Sequence, residues 1–284
     1  MIIEAEIRRN AARMKVDPMV IDLDYSLGWF LLGLSKNDDL RVGLRFKGGT
    51  CLRKCYFPEY RFSEDLDFTM EKYFSASVIE MYFQQIASWV TEQNGPNFQV
   101  EPVRFEVVDD EYGSESYQAR IYYRGPLQWS GSPRTIRIDV TRHEKLLLPP
   151  ATQLIHHPYS DQGVFQGAEL ICYALEEVMA EKLRAVGGQR RFAVSRDLYD
   201  ISNLRRAGVD MQKVKAVLPL KFQARGISLP QISIGMFESR KSEFHQDWNR
   251  RLSYLVQGGQ DDFEIAWANV LQTLHEGLED IHPS

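Results

Sequence analysis

The sequence predicts an α/β protein of the α+β kind: a mixed sheet with flanking helices, followed by a mainly helical C-terminal part. Three observations carry this. Stretches of period-two alternation, such as "SYQARIYYRG" and "TIRIDVT", lie in the first half of the chain. Amphipathic patterns of helical period dominate from about Ala168 onward. Between them, residues 143–165 ("HEKLLLPPATQLIHHPYSDQGVF") are irregular and proline-rich. The expected division is therefore an α/β core over 1–142 and a helical domain over 143–284.

In chain order, residues 1–20 are polar and mixed, with room for one short helix. Leu27, Phe30, Leu31 and Leu34 follow at helical spacing, and the pattern stops at Asn37. "RVGLRF" reads as a strand with Gly48 and Gly49 as its turn. Thr50 is expected to cap a helix through "CLRKCYF", which ends in a loop at Pro58. "EDLDFTM" is the next strand, and residues 74–93 (Val78, Met81, Tyr82, Ile86, Trp89) form a helix. Three period-two stretches between Phe98 and Glu144 predict antiparallel strands, because their connections are short. Helices are then expected in "ICYALEEVMAEKLRAVGG", in "SRDLYDISNLRRAG" up to Gly208, and over 210–224, 232–256 and 260–280.

The 284 residues suffice for a large core, and 26% charged with 44% hydrophobic residues is ordinary for a folded protein. A net charge of -5 means that a nucleic acid would need a local basic patch. The chain has neither a signal-peptide pattern nor an apolar run of membrane-spanning length, so a cytoplasmic protein is expected. The cysteines are Cys51, Cys55 and Cys172. No second pair completes a zinc site with the first two, and they read as inert thiols in a reducing compartment.

Chemistry concentrates in "FKGGTCLRKCYFPEYRFSEDLDF". In a strand, Asp65 and Asp67 project from one face while Leu66 and Phe68 face the other. Two carboxylates held together repel, so a cation should compensate them. Mg²⁺, which prefers oxygen ligands and bridges carboxylates to nucleotide phosphates, is the natural candidate. Asp139 lies on the polar face of "TIRIDVT". If its strand pairs beside that of Asp67, three carboxylates converge on a metal site. A strand, then Gly48-Gly49, then a helix starting near Thr50 offers backbone N–H groups to phosphate. The turn is neither a P-loop nor a dinucleotide fingerprint.

"KGGTCLRK", "RFSEDLDF", "EEVMAEKLRA" and "SRDLYDISNL", in that order from about Leu44 to Leu204, resemble the AbiEii/AbiGii-type nucleotidyltransferase toxin family of the DNA polymerase β-like superfamily. The resemblance implies a nucleotidyltransferase-like sheet. It also implies Gly48, Gly49 and Thr50 at a phosphate-binding glycine motif, and Arg61 and Ser63 in the motif that carries metal-binding Asp65 and Asp67. Lys182 matches a lysine that holds nucleotide phosphates, and Asp197, preceded by Arg196, matches an essential acid. Asp139 is assigned as third acid on spacing and pattern, without a motif. The region 101–135 does not match the family's pattern, and Arg45 and Lys47 add charge before the glycines. Such proteins are toxins of toxin–antitoxin or abortive-infection pairs, and some transfer nucleotides from NTP to the tRNA 3′ end. The expected partners are thus an NTP, an RNA acceptor and an antitoxin encoded nearby.

Several residues keep two readings. Lys182 shares a helix side with Val178 and Val186, so it either snorkels or binds phosphate. Asp197 caps its helix, pairs with an arginine, positions Lys182 or orients the acceptor hydroxyl. Arg184, Arg190, Arg191 and Arg196, continued by Arg205 and Arg206, form either an RNA-binding cluster or a solvated surface. Tyr117, Tyr122, Tyr123 and Trp129 stack on bases or pack the sheet, and His143, His156 and His157 read as loop histidines. The leading expectation is Mg²⁺-dependent transfer of NMP to a hydroxyl. The alternatives are a nucleotide-binding partner protein without catalysis, and transfer to a protein or small molecule.

Overall fold

The computed structural model describes residues 1–109, 115–189, 192–224, 226, 234–257 and 262–278. The chain divides into two compact units, one of Met1–Glu144 with Pro150–Cys172, the other of Lys145–Pro149 with Tyr173–Ser284.

The first unit holds helices α1 (Glu4–Met14), α2 (Pro18–Lys36), α3 (Asp38–Gly43), α4 (Gly48–Cys51) and α5 (Ala76–Glu92). Its strands are β1 (Leu44–Lys47), β2 (Asp65–Met70), β3 (Arg104–Asp109), β4 (Glu115–Tyr123), β5 (Arg134–Thr141), β6 (Ala151–Leu154) and β7 (Glu169–Cys172). They form one mixed sheet in the order β3-β4-β5-β2-β1-β7-β6. β3, β4 and β5 pair antiparallel, as their short connections predict. β2 runs parallel to β5 and antiparallel to β1, while β1 is parallel to β7.

Helix α2 begins at Asp17, whose carboxylate accepts from Met19 N at 2.7 Å, with Pro18 as first helical residue. Its apolar run is buried from Ile21 to Ser35. Asn37 ends it, and the Asn37 side chain accepts from Leu40 N at 2.9 Å to start α3. Charged groups also lie in this core. Asp24 accepts from Arg53 Nε (2.6 Å), Lys54 Nζ (2.7 Å) and Tyr159 OH (2.7 Å). Burial opposes its ionisation, yet Arg53 and Lys54 hold its carboxyl well below the usual range.

Three expectations change. The stretch read as irregular contributes β6, and "ELIC", read as the start of a helix, is β7. The sheet therefore continues to residue 172 instead of ending near 142, and only Lys145–Pro149 of the intervening chain goes with the helices. Strands of four residues are too short for period two to show. Thr50 is not a helix cap. Helix α4 starts at Gly48 and passes directly into a π-helical turn, Leu52–Tyr56.

The second unit is helical: α6 (Leu175–Arg184), α7 (Ser195–Arg206), α8 (Met211–Gln223), α9 (Ile234–Ser239), α10 (Lys241–Asp247) and α11 (Phe263–Leu278). Leu183, Leu198, Ile201, Val214, Val270 and Leu274 are buried in its core. Fully buried Glu177 accepts from Leu147 N and Leu148 N and pairs with Lys221 at 2.5 Å, which ties Lys145–Pro149 to these helices. Among the described residues no helix is long and apolar enough to cross a membrane.

Candidate active site

The glycine turn sits flush against the acidic strand. Gly48 has φ +78°, which L side chains rarely adopt, and a Cβ there would collide with Asp67 Oδ2. A Cβ at Gly49 would lie 2.5 Å from Arg61 Nη2 and 3.0 Å from Ser63 Oγ. Five residues of the two sequence motifs thus meet: Gly48 with Asp67, and Gly49 with Arg61 and Ser63. Arg61 and Ser63 are buried, and Arg61 Nη1 donates to Phe62 O at 3.1 Å. Thr50, also buried, donates its hydroxyl to Asp65 O at 2.5 Å. Its side chain fastens the start of β2 to α4.

Parallel pairing of β2 and β5 puts Asp67 opposite Asp139 and Asp65 opposite Arg137. Lys47 stands opposite Asp67 on the other side, and its Nζ is 2.9 Å from Glu144. Burial, and next the charge of Asp67, push the Asp139 carboxyl above the usual range, against a Gln118 hydrogen bond and the charges of Arg137 and Lys47. Asp67 and Asp139 are register partners on the polar face of the sheet. Asp65 lies two residues along, facing Arg137. Among the described residues, only three cysteines bring three ligand atoms within 4.8 Å of one another.

In the helical unit, Lys182 Nζ lies 2.6 Å from Asp197 Oδ1 and 2.9 Å from Asp200 Oδ2. Both acids are buried, while the lysine side chain keeps 15% exposure. This geometry agrees with Asp197 as a holder of Lys182, and it brings in Asp200, which sequence reasoning left without a role. Spacing three along the helix was the available signal.

The basic cluster does not form one solvated face. Arg184 is buried, donating towards Lys221 O at 3.5 Å, and Arg205 forms a two-armed pair with Glu276 at 2.7 and 2.8 Å. Arg196 is half-buried, and Arg190 and Arg191 lie outside the described residues. Of the aromatic candidates, Tyr117 and Tyr123 are core, Tyr122 is half-buried on the polar sheet face and Trp129 is 52% exposed. His157 lies in the loop after β6, as expected, but it is buried, 2.9 Å from Asp161 and stacked at 3.6 Å on Phe165.

The three cysteines, read from the sequence as inert thiols, come together: Cys172 on β7 joins Cys51 and Cys55, with all three sulfurs within 4.8 Å and all three residues buried. Burial pushes the Cys51 thiol well up. No spacing signals this cluster, since it depends on β7 lying beside β1.

The family profile described as "Nucleotidyl transferase AbiEii toxin, Type IV TA system" matches residues 29–272. Among solved structures, the chain resembles JHP933 from Helicobacter pylori, with 16% identity, TM-score 0.57, and 94% of this chain and 96% of that one covered. A second H. pylori protein, provisionally assigned as a nucleotidyltransferase, matches with 16% identity and TM-score 0.56 over 95% and 100% of the two chains. These likenesses show the fold. No curated protein sequence matches the chain.

Proposed function

Because this chain belongs to the AbiEii nucleotidyl transferase toxin family, we propose that it moves NMP from an NTP to an acceptor hydroxyl at the tRNA 3′ end, with Mg²⁺, as the cytoplasmic toxin of a toxin–antitoxin or abortive-infection pair. The observation that carries this reading is the Asp67–Asp139 register beside the Gly48–Gly49 turn. Two half-buried carboxylates in register, one with raised affinity for protons, suit a hard divalent cation with oxygen ligands. Asp67 and Asp139 would hold Mg²⁺, with Asp65 as a third ligand. Bound there, the ion would neutralise triphosphate charge as transfer proceeds.

The chain's own groups divide the remaining work. Gly48 and Gly49 let the triphosphate approach the backbone, which no side chain there would allow. The acceptor oxygen forms a bond to the α-phosphorus while the bond from that phosphorus to the α,β-bridging oxygen breaks. Pyrophosphate leaves with the electron pair, and Asp139 takes the hydroxyl proton. Incubation with α-labelled NTPs and total RNA tests the reading. Label should enter RNA of tRNA size with Mg²⁺, and not with EDTA or in Asp67→Ala. Label in protein or a small product, or NTP binding without turnover, would overturn it. An antitoxin is the proposed protein partner, and its co-expression should restore growth.

A further inference from the structure

The polar face of the sheet carries a second row beside the carboxylates. Register pairs Asp65 with Arg137, Arg137 with Arg120, and Arg120 with Arg104, across β2, β5, β4 and β3. Paired residues share a face, so three arginines stand abreast at the strand spacing of about 4.8 Å. All three are exposed. The Arg104 side chain donates to Glu106 at 2.7 Å, whereas the side chains of Arg120 and Arg137 make no hydrogen bond or ion pair among the described residues. Like charges directly opposite each other destabilise a sheet. Nothing in the packing calls for this row, and on a chain of net charge -5 it is a local cationic stripe.

Its position relative to the turn is informative. In the sheet order, β1 with its glycine turn flanks β2 on one side, and β5, β4 and β3 extend from the other. One cleft of about 340 Å³ contains Asp65, Asp139, Gln118, Arg137 and Arg120. A donor nucleotide at the glycine turn would leave the arginine side of the carboxylates open.

We infer that Arg137 and Arg120, extended by Arg104, bind the phosphates of a single-stranded RNA 3′ end and deliver its terminal hydroxyl to Asp139. This rests on the transferase reading above and replaces the arginines after Lys182 as the RNA-contacting group. Arginine suits phosphate because its planar fork donates two parallel hydrogen bonds. Tyr122, next along β4 on the same face, offers an aromatic surface beside the stripe.

The test compares wild type with Arg120→Ala, Arg137→Ala, the double variant and Arg120→Lys. Binding of a short 5′-labelled single-stranded RNA is followed by anisotropy across a salt series. Each alanine should weaken RNA about tenfold, and the slope of log K against log salt should shrink by about 0.7 per arginine. Arg120→Lys should keep part of the affinity, and Arg120→Ala should bind MgNTP as wild type does. Thermal midpoints confirm folding, which exposed arginines should not disturb. Unchanged RNA affinity and slope in the double variant would overturn the inference even if label still enters RNA. A wild type that binds no RNA, or that labels protein, would overturn it too. Loss of RNA binding in the variants, with no transfer by wild type, would support the surface and remove the transferase reading.

Discussion

Asp67 on β2 and Asp139 on β5 face each other as register partners across a parallel strand pair, and Gly48, at the start of α4, closes over Asp67. The pair stores repulsion in the metal-free protein. The Asp139 carboxyl lies above the usual range, so its ionised form is disfavoured by folding. That penalty is present at neutral pH and fades as pH falls through the raised value. Asp139→Asn should therefore raise the thermal midpoint in EDTA at pH 7, and Mg²⁺ should no longer raise it further. A variant that melts below wild type in EDTA would contradict the electrostatic account.

Gly48 offers a steric counterpart. Alanine there would have to hold φ near +78° with its methyl against Asp67 Oδ2. The backbone strain alone costs about 1–2 kcal/mol, and the collision displaces the carboxylate. Gly48→Ala should lower the thermal midpoint and weaken MgNTP binding together in calorimetry. Gly163, which has open space at its Cβ position, supplies a control in Gly163→Ala that should leave MgNTP binding intact.

Lys182, Asp197 and Asp200 make a compact ion triad between α6 and α7. If Asp197 serves by positioning Lys182, Lys182→Ala and Asp197→Asn should each lose NTP affinity by about tenfold or more, and the double variant should be little worse than either. Single-turnover rates add the other side of the comparison. A loss of turnover in Asp197→Asn with NTP affinity intact would assign Asp197 to the acceptor instead. Full NTP affinity in Lys182→Ala would leave the triad as a helix-to-helix fastener.

His157 predicts an acid-sensitive core. Burial brings its ring down to about 4, against the stabilising pull of Asp161, while the unfolded chain titrates near the ordinary value of 6.5. The folded-state value is depressed, so the unfolded chain binds the proton first as pH falls. Stability from this group is complete above about pH 6.5 and declines towards pH 4, by up to about 1.4 kcal/mol per pH unit. Urea midpoints measured over that window should fall more steeply for wild type than for His157→Gln. Parallel curves would mean that other groups govern the acid transition.

Local periodicity made the elements legible. Alternation in "EDLDFTM" and "TIRIDVT" identified the faces of Asp65, Asp67 and Asp139, and Asn37 and Gly208 marked where helices stop. Side-chain direction in a strand follows from the backbone alone, so such statements need only neighbouring residues. The family motifs were equally readable, since their residues are close in the chain.

What tertiary structure decided is which faces meet. Parallel register put Asp139 against Asp67 and Arg137 against Asp65, which brings a carboxylate from a distant segment beside the two on β2. The same registers aligned Arg137, Arg120 and Arg104, from three strands whose sequences show only scattered basic residues. Arg184, charged and unremarkable in its helix, is buried because α8 packs on α6, and Cys172 reaches Cys51 and Cys55 because β7 lies beside β1. Pattern within a segment follows from backbone geometry. Pairing between segments follows from how apolar area, hydrogen bonds and charge are shared among strands and helices distant in the chain, and no single segment contains that information.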